Sequence, residues 1–225
     1  EFSARMLWYL GPSKDELDKF NGLGGSSAPT SFYNKYDEWD YRLEHNLAKT
    51  WRNKPFKDSR IAIIKYWDRT GNQMLDHDGL NFPVFRYADV LLMYAESLNE
   101  WKHGPDAEAY NAINAVRRRG YGNPSNTSAC DLPQGLDETS FREAVRKERS
   151  YELSFEGHRR QDLIRWGIYY KTVQATAKEL GYWWEGTGSP NYSVATYTEE
   201  GKHELFPIPQ RDMDLCIQFN QNPKW

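Results

Sequence analysis

Phe141 to Gly167 reads FREAVRKERSYELSFEGHRRQDLIRWG. It contains no proline and one internal glycine, Gly157, and reads as the longest helical segment of the chain. At 3.6 residues per turn, Phe141, Val145, Phe155 and Trp166 fall on one narrow arc. Glu148, Glu152, Arg159 and Asp162 share that arc, although a surface helix ordinarily sends its charges to the opposite side. Two arrangements are open: a bend at Gly157 returns these charges to solvent, or they form a semi-buried ionic network. In a network every carboxylate needs a partner, because an unpaired buried charge costs on the order of several kcal/mol. Glu148 and Glu152 lie one turn apart and repel each other, so the cations must come from elsewhere, and Arg86, Arg117 and Arg119 are the candidates. The expectation is that both carboxylates are less exposed than glutamates ordinarily are, within salt-bridge distance of at least one of these arginines.

The 225 residues suit one large domain or two small ones. Apolar residues make up 39% and mean hydropathy is −0.87, but nine Trp and 15 Tyr supply the core area that Val and Ile do not. A net charge of −3 and a pI of about 6.0 argue against nucleic acid or an anionic membrane as a bulk electrostatic partner. Arg117, Arg118 and Arg119 sit in a helix with acidic neighbours and read as structural. No apolar run approaches the ~20 residues that span a bilayer. The chain opens Glu1-Phe2-Ser3 and reads as a fragment, so nothing about targeting follows. Cys130 and Cys216 allow one disulfide without requiring it.

Residues 1–82 are irregular. Ser13 to Glu16 reads as a capping box opening a short helix through Phe20. A Gly/Ser/Pro loop, Gly22 to Pro29, leads into an aromatic-dense stretch containing Phe32, Tyr33, Tyr36, Trp39, Tyr41 and Trp51. Arg60 to Trp67 has strand composition, and Asp68 to Asn81 reads as turn and loop. From Pro83 the texture becomes helical. Tyr87, Leu91, Tyr94 and Leu98 space an amphipathic helix to about Glu100, with the small residues Ala88 and Ala95 beside that stripe. Gly104-Pro105-Asp106 opens the next helix with Pro at its first position; Ala109, Ile113 and Val116 form its stripe, and Gly120 ends it. Two helices and a turn over 83–120 approach the ~34 residues of a tetratricopeptide repeat. Asp137 or Thr139 suits the cap of the helix quoted first. Ile168 to Leu180 makes one more helix, a polar loop begins at Tyr182-Trp183-Trp184, and Pro207, Pro209 and Pro223 predict an extended, non-helical tail.

Four stretches resemble one family. Phe85 to Glu96 (FRYADVLLMYAE) resembles its RYAxxLLxYAE helix, and Asn114 to Arg119 (NAVRRR) its NxVRxR segment. Glu148 to Trp166 resembles its ERxxELxFEGxRxxDLxRW block; Phe206 to Pro209 with Asn220 to Pro223 resembles its FPIP…QNP ending. The chain is thereby identified as similar to the SusD/RagB family of nutrient-capturing outer-membrane lipoproteins of Bacteroidetes. Gly120, where the family usually has Ala, and the Lys224-Trp225 ending depart from its pattern. The resemblance implies a mainly α, SusD-like fold of tetratricopeptide-like helix pairs, long irregular loops and a few short strands. It implies an irregular ligand-facing region over 1–82 and a helical C-terminal region over 83–225, together one domain that lacks the family's N-terminal half. It also implies non-catalytic binding of oligo- or polysaccharides at the cell surface and delivery to a SusC-like TonB-dependent transporter. Attachment to the outer membrane would run only through an N-terminal lipid anchor absent from these residues.

The motif residues read as architecture. Glycosidase carboxylates face each other across a cleft, whereas these lie on a helix amid cations that keep them ionised, the wrong state for a general acid. Nucleophile-elbow, zinc-protease and phosphate-loop patterns are missing, and no cofactor is implied. Asp76-His77-Asp78 could hold a metal ion, but adjacent residues rarely converge on one ion and a solvated loop is the better reading. His158 beside Arg159 and Arg160 suits neither a ligand nor a base. Sugar rings need flat aromatic faces rimmed by polar groups. Trp8, Tyr9, Tyr36, Trp39 and Trp51 are the candidate ligand-binding residues, with Asn34, Asp37 and Arg42 nearby; Trp183 and Trp184 form a second cluster. The competing reading puts most of these rings in the core. Alternative functions are a carbohydrate-active hydrolase and a helical scaffold that binds only protein.

Overall fold

The chain is mainly helical in a computed structural model, whose described residues are 27–51, 54–56, 61–65, 83–122, 130–179 and 194–225. It divides into two units, residues 1–157 and 158–225. The capping box at Ser13, the Asp76-His77-Asp78 loop and the Trp183-Trp184 pair lie outside the described residues.

The first unit has short helices α1 (Thr30–Tyr33) and α2 (Arg42–Asn46), then strands β1 (Leu47–Ala48), β2 (Thr50–Trp51), β3 (Lys54–Pro55) and β4 (Ala62–Ile63). β1 pairs antiparallel with β4, Leu47 opposite Ile63, and β2 with β3, Thr50 opposite Pro55. The strand expected over Arg60 to Trp67 is thus two residues long among those described. Strands this short bury no face alone. Leu47, Ile61 and Ile63 instead join Tyr36 and Tyr151 in a buried cluster edged by Phe32, Tyr33 and Phe155. Phe32 meets Tyr36 edge-on at 5.4 Å, and the Tyr36 and Tyr151 rings lie 4.7 Å apart. Aromatic rings do here what aliphatic residues do in most cores.

Helices α3 (Tyr87–Lys102) and α4 (Ala107–Gly120) form the expected pair. α3 ends at His103 in the left-handed conformation (φ 56°). Asp106 caps α4 by accepting from the Ala109 amide at 2.9 Å, which leaves Pro105 ahead of the cap rather than at the first helical position. Ala109, Ile113 and Val116 are buried as their spacing predicts. α3 is rotated from expectation: Ala88, Leu92, Ala95, Leu98 and Asn99 face inward, while Tyr87 and Tyr94 are exposed. The small residues are the seam itself, because close helix approach needs short side chains at the contact. Helix α5 (Glu138–Glu152), capped by Asp137 through the Ser140 amide at 2.7 Å, seats Phe141 and Val145 on that pair.

The helix that begins at Glu138 does not reach Gly167. It stops at Glu152; Phe155 (φ 64°) and Gly157 (φ 85°) adopt left-handed backbone, and α6 (Arg159–Arg165) begins afresh. Glycine takes such a φ without a Cβ clash. The arc joining Phe141 to Arg159, Asp162 and Trp166 is therefore not one face.

The second unit contains α6, α7 (Tyr169–Glu179), α8 (Val194–Tyr197) and α9 (Gln210–Leu215). The tail differs from the fully extended reading in having α9, which starts directly after Pro209, a residue compatible with a helix start. Around it the FPIP and QNP segments are laced together. Gln221 Oε1 accepts from the Ile208 amide at 2.7 Å and its Nε2 donates to the Ile208 carbonyl at 2.9 Å, while Asn222 Nδ2 donates to the Phe206 carbonyl at 2.7 Å. Both cysteines are free thiols, Cys130 buried and Cys216 exposed. Among the described residues no helix is long and apolar enough to cross a membrane.

Candidate functional site

The inner side of α5 presents Glu148 and Glu152, 0% and 2% exposed. The left-handed turn behind α5 brings Glu156 to the same place, since Arg86 bonds Glu152 and Glu156 together. Arg86 Nη1 donates to Glu152 Oε1 at 2.9 Å, and Nε and Nη2 fork onto the Glu156 carboxylate, each at 2.8 Å. Arg117 Nη1 donates to Glu148 Oε2 at 3.0 Å, and Arg119 pairs with Glu152. The three expected arginines all reach these carboxylates.

A fourth guanidinium, not anticipated, sits at the centre. Arg42, at the start of α2, donates from Nη1 to Glu148 Oε1 at 2.6 Å and to Glu152 Oε2 at 3.2 Å. Its Nε and Nη2 clasp Asp40 at 2.8 and 2.7 Å. Lys65 pairs with Glu156 and also donates to the Ser154 carbonyl at 3.0 Å. Among the described residues, four carboxylates thus meet four guanidiniums and one ammonium. Gly120 leaves room for this: a Cβ there would lie 2.5 Å from Arg42 Nε. An alanine at this position does not fit unless the guanidinium moves. A separate buried pair, Arg149 Nη1 to Asp89 Oδ1 at 2.7 Å, ties α5 to α3.

Electrostatics follow the geometry. Burial opposes the Arg42 charge, but hydrogen bonds and charge from Asp40 and Glu148 outweigh it and hold the guanidinium above the ordinary arginine value. Burial pushes Glu156 up, and Arg86 and Lys65 more than reverse this, keeping it below the usual carboxylate range. Burial pushes Lys65 down, with Glu156 only partly restoring it. Glu156 is therefore held as an anion, and donors surround Glu148 and Glu152 alike. A general acid must hold its proton near working pH, and Glu156 does the opposite. The network is suited to joining Asp40, Arg42 and Lys65 to α3, α4 and α5.

Of the candidate sugar-facing residues, Tyr36 and Trp39 have described side chains. Trp8 and Tyr9 lie outside the described residues, as does the side chain of Trp51, whose backbone pairs in β2. Tyr36 is a core residue at 7% exposure. Its hydroxyl bonds the Tyr151 carbonyl at 3.3 Å and lies 3.5 Å from Ser154 Oγ, within the ring cluster, which leaves no open face for a sugar. Arg42 is likewise committed to the network. Trp39 is 77% exposed and Tyr41 58%, with exposed Asp37 and Glu38 on the same turn. The Tyr121 hydroxyl donates to Asp37 Oδ2, and the Tyr41 ring lies against Gly122. Tyr121 and Gly122 were not anticipated here; nothing in the chain's order signals that the end of α4 meets residues more than 80 positions earlier.

Comparison with known proteins agrees with this architecture. The chain is 35% identical over 198 residues to SusD-like protein P25 of Formosa agariphila, covering 88% of this chain and 34% of that protein. It is 25% identical over 166 residues to the starch-binding protein SusD of Bacteroides thetaiotaomicron, covering 72% of this chain and 25% of that one. A crystal structure of a SusD homolog from Bacteroides thetaiotaomicron superposes with a TM-score of 0.70 at 68% identity, over 83% of this chain and 41% of that chain. The chain thus spans between a quarter and two fifths of the length of these relatives. With residues 32–225 matching the sequence profile of the SusD family, SusD_RagB, the chain belongs to the SusD family.

Proposed function

We propose that the protein binds oligo- or polysaccharide without cleaving it, at the bacterial cell surface, and passes it to a SusC-like TonB-dependent transporter in the outer membrane. The observation that carries the reading is the pairing of the buried carboxylates. Glu148, Glu152 and Glu156 are each bonded to guanidinium or ammonium groups, so the one conspicuous acidic constellation among the described residues is committed to holding the fold. The common glycoside hydrolase mechanisms need a carboxyl group that keeps its proton and a second, ionised one across the bond to be cut. Kinship with a starch-binding protein supports a saccharide as the ligand.

Electrophoresis through native gels cast with single polysaccharides tests the binding. The protein is retarded by at least one of them relative to a gel without polysaccharide. Unimpeded migration through a broad panel, with capture of a transporter barrel intact, would replace this reading with that of a scaffold binding only protein.

A further inference from the structure

A single exposed ring on a protein surface needs no explanation. Here two exposed rings and two exposed carboxylates share the turn at 37–41, and that turn is held from three directions. Asp40 turns inward and is clasped by Arg42 at 2.7 and 2.8 Å. The Tyr121 hydroxyl holds Asp37 from the end of α4, and the backbone closes with the Asp40 amide donating to the Asp37 carbonyl at 2.9 Å. The Tyr41 ring lies on Gly122, whose φ of 65° and missing Cβ make the space for it. Asp40 belongs to the ionic core, so the network that anchors α5 also fixes the platform on which Trp39 stands.

The chemistry of this surface matches a pyranose ring. A rigid indole offers its flat face to the axial C–H groups of a sugar, with little entropy lost on binding. Tyr121 uses Asp37 Oδ2; Oδ1 has no hydrogen-bond donor among the described residues and is placed to accept from a sugar hydroxyl. Burial first, and then the bond to Asp37, raise the Tyr121 pKa, so the phenol remains a donor. Arg117, 5.6 Å from the Tyr121 ring, is paired with Glu148, so Asp37 and Glu38, which outnumber Lys35 on the exposed turn, disfavour uronate or sulfate groups.

Resting on the glycan-binding function proposed above, we infer that Trp39, Tyr41, Asp37 and Tyr121 form a subsite for a neutral pyranose glycan, with Trp39 as the stacking face. Titration calorimetry with soluble neutral glucans, mannans and xyloglucan, and with alginate and pectate as anionic counterparts, tests it on the unaltered chain, Trp39→Ala, Trp39→Phe and Asp37→Asn. Trp101→Ala, a similarly exposed indole on α3, is the control. For the glycan that binds, Trp39→Ala weakens affinity at least about fivefold, Trp39→Phe retains most of it, and Trp101→Ala changes nothing. Circular dichroism shows each variant folded, as expected for exposed positions. Unchanged affinity in Trp39→Ala overturns the subsite and leaves the glycan-binding function standing. Failure of the unaltered chain to bind any glycan overturns both, and tighter binding of alginate or pectate than of every neutral glycan overturns the ligand class.

Discussion

Replacing Arg42 with Met removes the guanidinium that three carboxylates share, while keeping much of its aliphatic volume. Glu148 retains Arg117 at 3.0 Å, and Glu152 retains Arg86 at 2.9 Å together with Arg119. Asp40 fares worst. Its side chain is 2% exposed, and once the guanidinium is gone its carboxylate keeps, among the described residues, only the backbone amide of residue 42 at 3.0 Å. Breaking a buried ion pair by deleting one partner costs about 3–5 kcal/mol, because the surviving charge stays buried. In a chain of this size each kcal/mol shifts Tm by roughly 2–4 °C, so the expected fall is roughly 6–20 °C. Urea titration followed by tryptophan fluorescence measures the loss directly. Adding Asp40→Asn to Arg42→Met removes the stranded charge and recovers about 1–3 kcal/mol, whereas the same change in the unaltered protein destabilises. Arg42→Lys does not rescue, since one ammonium cannot fork onto Asp40 while also reaching Glu148 and Glu152. A loss below about 1 kcal/mol for Arg42→Met, or no recovery on adding Asp40→Asn, would refute the claim that Arg42 is the keystone of a buried network.

Glu156 makes the fold acid-sensitive. Its carboxyl titrates lower in the folded than in the unfolded chain, where the ordinary value is 4.5, so its stabilisation is complete above that pH and is lost as pH falls through the folded value. Melting temperatures followed downward from pH 4.5 fall less steeply in Glu156→Gln than in the unaltered protein, although the variant starts lower. Gly120→Ala drives a methyl group into the Arg42 guanidinium and costs about 1–3 kcal/mol in a urea titration, but much less in an Arg42→Met background. Gln221→Ala strips both side-chain partners from the part-buried Ile208 backbone, costing about 0.5–1.5 kcal/mol per hydrogen bond lost, and shows as faster amide exchange at Ile208 with the α3–α5 core unchanged.

Reading the chain unaided recovers what depends on local periodicity. The pair α3–α4, the stripe Ala109, Ile113 and Val116 and the arginines that meet Glu148 and Glu152 follow from helical spacing, and the cap falls to Asp137, one of the two residues whose type suits it. What escapes is set by position in space or by backbone geometry. Arg42, Asp40 and Lys65 come from irregular segments, where no repeat indicates which side chain points inward. The wheel carried on through Phe155 and Gly157 because a helical projection has no means of registering a positive φ, and so it missed that Glu156 joins the network. The stripe chosen on α3 favoured tyrosines over alanines, while close helix contact selected the alanines. The aromatic residues divide the same way: Tyr36 and Trp39 are three positions apart and equally flat, yet only packing against Tyr151 and Phe32 makes one of them core and leaves the other on the surface.

The carboxylates of α5 hold the fold together, and on the function proposed above a saccharide is bound elsewhere without being cut. Incubation with a polysaccharide that retards the protein on native gels, followed by an assay for new reducing ends, tests this most directly. Retardation is expected, with reducing ends no higher than in a protein-free control. A progressive release of reducing ends, abolished by Glu148→Gln or Glu152→Gln in variants that remain folded, would contradict it.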